Sequence, residues 1–260
     1  MTRTILVPLD FGEEADRALP VGRSLADATG ARLEGVVVSG AASADDDAEE
    51  LLWHARHAGV RLDAIHVTAD DHVAAGILAE ATARDATLCV ATHVRGPAAD
   101  LVFHSVANEL LRRDGPIVLV GPEVRRARPH VASLLACVDD SPSSAGVAAA
   151  ACAWAAALDV KVRVLQVVDA AEDRAAGRPA AAAWAALQAD GIDAHWDLME
   201  GDDAAEGILV AAAEMDAPLV VVGGGGPAHR AGPGHPPLGA VARAVVRHAP
   251  HPVLVVPAPG

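Results

Sequence analysis

The chain has 260 residues, of which 52% are hydrophobic, 21% charged and only 2% aromatic, and its formal net charge is −15. Such a composition excludes a disordered chain, and the acidity argues against nucleic acid or an anionic membrane surface as partner, because phosphate would be repelled. The one lysine, Lys161, follows no glycine loop, which removes a Walker-type nucleoside triphosphatase.

In chain order, Met1-Thr2-Arg3 runs straight into Ile5-Leu6-Val7-Pro8, too short an apolar run for a secretory signal, so a cytoplasmic protein is expected. Alternating apolar runs and 3.6-period stripes predict strands near 4–9, 31–38, 61–67, 87–92 and 116–120. Helices are predicted near 13–29, 44–58, 72–84 and 100–113. Ser43 and Asp46 read as a capping box for the second helix, with Ala48, Leu51, Leu52 and Ala55 as its apolar stripe. Pro20 is expected to kink the first. Glu123 to His130 is polar and carries Arg and Pro, as a linker would. Beyond it, strands are predicted near 133–138, 160–168, 193–198, 218–222 and 252–256. Ser141-Pro142 reads as N-cap and N1 of the helix between the first two. That helix, Ala145 to Leu158, is the longest apolar stretch and too short to span a membrane.

The order of elements repeats. Ile5-Leu6-Val7-Pro8-Leu9-Asp10 matches Leu134-Leu135-Ala136-Cys137-Val138-Asp139, each an apolar strand ending in aspartate. Gly76-Ile77-Leu78 matches Gly207-Ile208-Leu209, Ser105-Val106-Ala107 matches Ala240-Val241-Ala242, and Pro116 to Val120 matches Pro252 to Val256. Ordered matches of this kind indicate a duplication. Two domains are expected, 1–126 and 127–260, each an α/β doubly wound parallel sheet of five strands with helices on both faces.

The stretch with most chemistry is Pro218 to Pro257. Leu219 to Val222 reads as a buried strand, Gly223 to Gly226 as a turn, and Leu238-Gly239-Ala240 as the start of a helix with Val241, Ala244, Val245 and His248 on one side. A strand, glycine turn and helix together form an anion-competent βα junction. Other clusters point to less. His229, His235, His248 and His251 match no zinc spacing, so no structural metal is expected. Asp45 to Asp47 and Glu49-Glu50 suit a helix's first turn. Cys89, Cys137 and Cys152 sit in apolar runs and read as buried reduced thiols. Trp53, Trp154, Trp184 and Trp196 read as packing between layers. Asp10 and Asp139 suit turn caps.

Each half resembles a universal stress protein domain, and the whole resembles the tandem form of that family. Val138-Asp139-Asp140-Ser141-Pro142-Ser143-Ser144, Ala91-Thr92-His93-Val94-Arg95-Gly96 with His104-Ser105-Val106-Ala107, and Gly239-Ala240-Val241-Ala242 through Val256-Pro257 carry the likeness. The resemblance implies ATP or another adenine nucleotide in the second half only. The phosphate motif of nucleotide-binding members falls on Gly223, Gly226, Gly239 and Ala240, with three extra residues between Gly226 and Gly239 and no hydroxyl at Ala240. Asp139 falls beside the nucleoside and Val167 where backbone meets adenine. In the first half Ala91, Val94 and His104 replace the glycines and only Asp10 and Ser105 survive, so that half is expected not to bind. The family also implies pairing of the halves through their last strands, as an internal pseudo-dimer, and a homodimer as a further form. No SGGxDS loop, HxGH pair or catalytic triad is present, so no enzyme is expected. Two readings remain open: a nucleotide-responsive stress protein, or a scaffold acting through its surfaces.

Overall fold

The computed structural model describes residues 4–9, 13–39, 60–92, 105–112, 115–124, 133–169, 177–215, 219–225 and 238–257. The chain divides into two compact units, Thr2–Arg113 with Ile117–Pro122, and Glu123–Gly260 with Asp114–Pro116. The predicted helix near 44–58 with its capping box, and most of the linker, lie outside the described residues.

In the first unit the order is β1 (Thr4–Pro8), α1 (Glu13–Thr29), β2 (Arg32–Ser39), β3 (Ala64–Ala69), α2 (Val73–Ala83), β4 (Ala86–Ala91), α3 (Ser105–Leu110) and β5 (Ile117–Val120). Its strands lie side by side in the order β3-β2-β1-β4-β5, all parallel. β1 and β5 are buried almost throughout, which explains their unbroken apolar sequences. α1 runs through Pro20, which is exposed, so the ring meets water rather than the sheet.

The second unit runs β6 (Ser133–Cys137), α4 (Ser143–Leu158), β7 (Lys161–Val168), α5 (Arg178–Ala189), β8 (Ala194–Glu200), α6 (Ala204–Met215), β9 (Val220–Gly223), α7 (Ala240–His248) and β10 (Val253–Val256). Its strands follow β10-β9-β6-β7-β8, again parallel. α4 packs on β6, β9 and α5, while α6 packs on β7 and α7. Eleven of α4's sixteen residues run from Ala148 to Leu158, and eight of those are Ala, the residue with the highest helix propensity. The helix ends where Asp159 turns left-handed, φ 54° and ψ 50°.

The duplication is visible in the hydrogen bonds. Leu9 N–H donates to the Val36 carbonyl and Val138 N–H to that of Leu165, while Ala31 N–H to Ala26 is repeated as Val160 N–H to Ala155. These pairs share an offset of 129 residues (165 − 36 and 160 − 31). Gly76 and Gly207 also correspond. A Cβ on either would lie 2.9 Å from a valine methyl, Val38 in one unit and Val167 in the other, so each helix approaches the sheet only as glycine.

One polar feature differs between the units. Glu34, 3% exposed on β2, holds His66 Nε2 at 2.6 Å, Arg32 Nη2 at 3.1 Å and Arg84 Nε at 3.4 Å. Arg84 Nη2 lies 2.8 Å from His66 Nδ1, and arginine only donates, so Nδ1 accepts and the imidazole proton sits on Nε2, donating to Glu34. Arg84 also pairs with Glu80, whose Oε1 accepts from Thr68. The second unit has Arg163 and Asp197 at the corresponding places, with Arg163 Nε 2.7 Å from Asp197 Oδ2.

Asp63, just before β3, accepts the Leu33 N–H at 2.8 Å and faces Arg23. The Leu33 N–H and the Arg23 guanidinium hold its carboxyl below its ordinary value of 3.8. A carboxyl depressed in the folded state stabilises above its unfolded pKa, and that contribution disappears as pH falls through the folded value. Asp63→Asn is therefore expected to lower the urea midpoint at pH 7, with the gap to wild type narrowing as the pH is taken below the ordinary carboxyl value of 3.8 and closing only once the folded-state carboxyl is itself protonated.

Several expectations are corrected. Ser141 Oγ makes no capping bond; it is buried and without a partner, and α4's N-cap is Pro142 with helical dihedrals. The buried stripe of α7 is Ala242, Val245 and Val246, with Val241 40% exposed and His248 exposed, because the helix packs one residue further round than the sequence stripe indicates. Trp154 is buried, but Trp184 and Trp196 are each 37% exposed; β8 ends the strand order and leaves them at the rim. Cys89 and Cys137 are buried free thiols, whereas Cys152 is half-buried and its Sγ–H donates to Asp190 at 3.4 Å. It lies on the alanine-lined groove of about 440 Å³ between α4 and α5.

Candidate functional site

The second unit's sheet changes winding direction between β6 and β9, and the crevice beyond the carboxyl ends of such strands is where doubly wound folds take ligands. Asp139 follows β6 there. Its Oδ1 accepts the Ser141 N–H at 2.9 Å, and its own N–H donates to Ser144 Oγ at 2.9 Å. Ser144 Oγ is 2.6 Å from the Asp139 carbonyl and 3.2 Å from Oδ1, so its single proton goes mainly to the nearer carbonyl. The aspartate thus does hold a turn, and it also faces the crevice.

Opposite, β9 ends in glycines. A Cβ on Gly223 would lie 2.8 Å from Ser143 Cβ, where no side chain fits without a shift, and one on Gly224 would lie 3.2 Å from the Val256 carbonyl, a tight contact. Gly224 N–H donates to Val256 at 2.7 Å, its carbonyl accepts the Gly239 N–H at 2.7 Å, and Ser143 Oγ donates to the Gly225 carbonyl at 3.1 Å. These bonds fasten the glycine turn to the end of β10 and to the starts of α4 and α7. Gly239 is α7's N-cap, with φ −62°, ψ 165° and no side-chain cap. The first-turn N–H groups of α7 have no intrahelical acceptor.

Between these elements lies a cavity of about 400 Å³. Cys137, Leu165, Val167, Ile208 and Val222 give it apolar walls, and Asp139, Ser143, Ser144 and the start of α7 give it a polar rim. Five of the residues picked out by sequence, Asp139, Val167, Gly223, Gly239 and Ala240, line this one cavity. Gly226 lies outside the described residues. Burial raises the Cys137 thiol well above its ordinary value and keeps it protonated, so it acts as wall rather than nucleophile. The sequence reading missed Cys137, assigned to the core, and Ser143, which entered it only as part of the family-like run Val138 to Ser144. Strand parity was the available signal for Cys137, which shares a face with Leu135.

In the first unit Ala91 is buried at the end of β4, and Ser105 opens α3. Asp10, Val94 and His104 lie outside the described residues. Thr92 N–H donates to Val120 at 2.9 Å, as Gly224 does to Val256. The Thr92 carbonyl, however, accepts from Arg17 Nη2 at 2.7 Å. By the shared offset Arg17 stands where the second unit has Gly146 (146 − 17 = 129). A guanidinium therefore caps in one unit the carbonyl that a backbone N–H caps in the other. Among the described residues, no group of three or more His, Cys, Asp or Glu is arranged to hold a metal ion; His251 instead approaches the Ala212 carbonyl at 3.1 Å.

The model of the universal stress protein family matches residues 1–115 and again 132–257. The chain belongs to that family. The two matches give it the tandem form. Among solved structures, a universal stress protein from Archaeoglobus fulgidus has 20% identity and a TM-score of 0.66, covering 98% of both chains. A protein of unknown function from Pseudomonas aeruginosa has 21% identity and a TM-score of 0.62, covering 98% of this chain and 92% of that one. A universal stress protein in complex with cAMP matches 50% of this chain and 98% of its own at 27% identity, with a TM-score of 0.41. A comparison with curated proteins returns no match. No helix among the described residues is long and apolar enough to cross a membrane.

Proposed function

We propose that this tandem universal stress protein is a non-enzymatic, ligand-responsive protein of the stress response whose second unit takes an adenine nucleotide or nucleoside. The observation that carries the reading is the 400 Å³ cavity at the winding switch of the second sheet, with apolar walls, Asp139 at its rim and the start of α7 beside it. An aromatic base suits the walls, and hydroxyls and one anionic group suit the rim. The first unit is assigned no ligand: Ala91 adds a methyl where the second unit has Gly223, and Arg17 occupies the Thr92 carbonyl.

Gently purified full-length protein, heated to release bound small molecules and analysed by mass spectrometry, is expected to yield an adenine compound in less than or equal to equimolar amount. Protein that yields none, and that takes up no labelled adenosine or adenine nucleotide in equilibrium dialysis, would leave the scaffold reading in its place.

A further inference from the structure

We infer that the outer edge of β8 pairs with β8 of a second copy of this chain, antiparallel, about a two-fold axis at Leu198.

Backbone hydrogen bonds fix which residues of β8 face outwards. The Val162 N–H donates to the Asp193 carbonyl and the Gly201 N–H to that of Val168, each at 3.0 Å. The parallel register sets Val164 beside Trp196 and Gln166 beside Leu198. Odd-numbered residues of β8 therefore turn their N–H and C=O groups to β7, and even-numbered ones turn theirs away. Ala194 agrees: its carbonyl accepts from Trp184 Nε1 at 2.9 Å and Gln188 Nε2 at 3.0 Å, which finish the edge at that end. Trp196, Leu198 and Glu200 lie beyond, and among the described residues β8 pairs with β7 alone. Trp196 is 37% exposed and Leu198 42%. The strand holds no proline and no lysine, the residues that commonly blunt an open edge.

The open positions select both partner and register. A copy of the same strand offers the same three outward residues, so the pairing closes on itself. A two-fold at Leu198 joins all of them: Leu198 with its copy, and Trp196 with Glu200 of the partner subunit. An axis at Trp196 or Asp197 would set an open residue against Ala194, whose carbonyl already has two donors. An axis at Met199 would leave Trp196 beyond the end of the partner strand.

Side chains favour the same arrangement. Trp196 and Leu198 share one face, where a Cβ on Gly177 would lie 3.2 Å from Leu198 and 3.5 Å from Trp196. In this register the two Leu198 side chains meet at the axis, with a Trp196 diagonal to each. Charge sets the direction. One end of β8 lies beside Lys161 and Arg163 of β7, while the other runs into Glu200, Asp202 and Asp203. An antiparallel pair brings those acids towards the cations; a parallel pair would align acid with acid.

The test is sedimentation equilibrium of the full chain between about 5 and 500 μM, with amide hydrogen exchange at both extremes. An edge this short buries less than the roughly 1,200 Å² of a standard interface, so a dissociation constant of about 10–100 μM is expected. The Trp196, Leu198 and Glu200 amides should gain protection as concentration rises, while those of Asp197 and Met199, turned to β7, exchange alike at both. Leu198→Lys places two cations at the axis and is expected to weaken the dimer by at least about tenfold, with the melt hardly moved. A chain that stays monomeric throughout overturns the inference and leaves the edge to a different extended partner. A dimer that Leu198→Lys leaves unchanged, or one without the alternating protection, overturns it equally.

Discussion

Gly223→Val is expected to abolish ligand uptake by the second unit, with affinity for adenosine falling by about 100-fold or more. A Cβ at this position would come within 2.8 Å of Ser143 Cβ, and Ser143 is 3% exposed at the head of α4, so neither partner has room to withdraw. The glycine turn and α4 must separate, and with them the Ser143–Gly225 bond that closes one side of the cleft. Overpacking of this kind costs about 1–3 kcal/mol. The fall in melting temperature should be roughly 4–10 °C for a unit of this size, leaving a folded protein to titrate. Ala204→Phe provides an independent variant. Ala204 lines the cavity from the half-exposed start of α6, where a ring fills space without straining the core, so binding should be lost while the melt is hardly moved. If both variants bind adenosine as the wild type does, the cavity is not the site.

Glu34→Ala should be the most damaging single change in the first unit, lowering its stability by about 3 kcal/mol in a urea titration. The carboxylate is the centre of a network: His66, Arg32 and Arg84 all converge on it. Removing it leaves the Arg32 and Arg84 guanidiniums without their shared anion and the His66 Nε2–H without its acceptor. The value sits at the lower end for a buried pair because His66 and Arg84 are about a quarter exposed and regain some hydration. Arg163→Ala in the second unit removes only one partner of the half-exposed Asp197 and should have a much smaller effect in the same titration. Equal losses from the two substitutions would show that the Glu34 network is not cooperative.

Strand positions were legible because buried parallel strands are written as short apolar runs, and β1, β5, β6, β9 and β10 are such runs. The edges were harder. β8 alternates and leaves Trp196 and Leu198 exposed, so its tryptophan was misread as interior by residue type alone. The face of α7 was displaced by one residue because valine and alanine alternate there, and periodicity does not rank Val241 against Ala242; packing on β10 does. The glycines of the candidate site were found from their spacing. The hydrogen bonds that close the glycine turn were not, since a Gly239 N–H reaching a Gly224 carbonyl is a tertiary event with no side chain to announce it. Arg17 was missed for a related reason. Its partner is a backbone carbonyl 75 residues away, and only the offset between the halves shows that it stands for a glycine.

The alanine face of α4 has a consequence for how this protein tolerates change. Ala148, Ala151 and Ala155 are buried with no rotamers to immobilise, so the helix assembles against its neighbours with almost no loss of side-chain freedom. Little is then removed by trimming it, since an alanine has only one methyl to lose. Added volume is another matter at Ala151 and Ala155, which are fully enclosed and do not border the groove that Ala148 lines, so a longer side chain there must displace packed neighbours. For α4, drift toward larger aliphatic residues is the hazard, and the usual order of conservative substitution, in which leucine is a mild replacement for alanine, runs the other way.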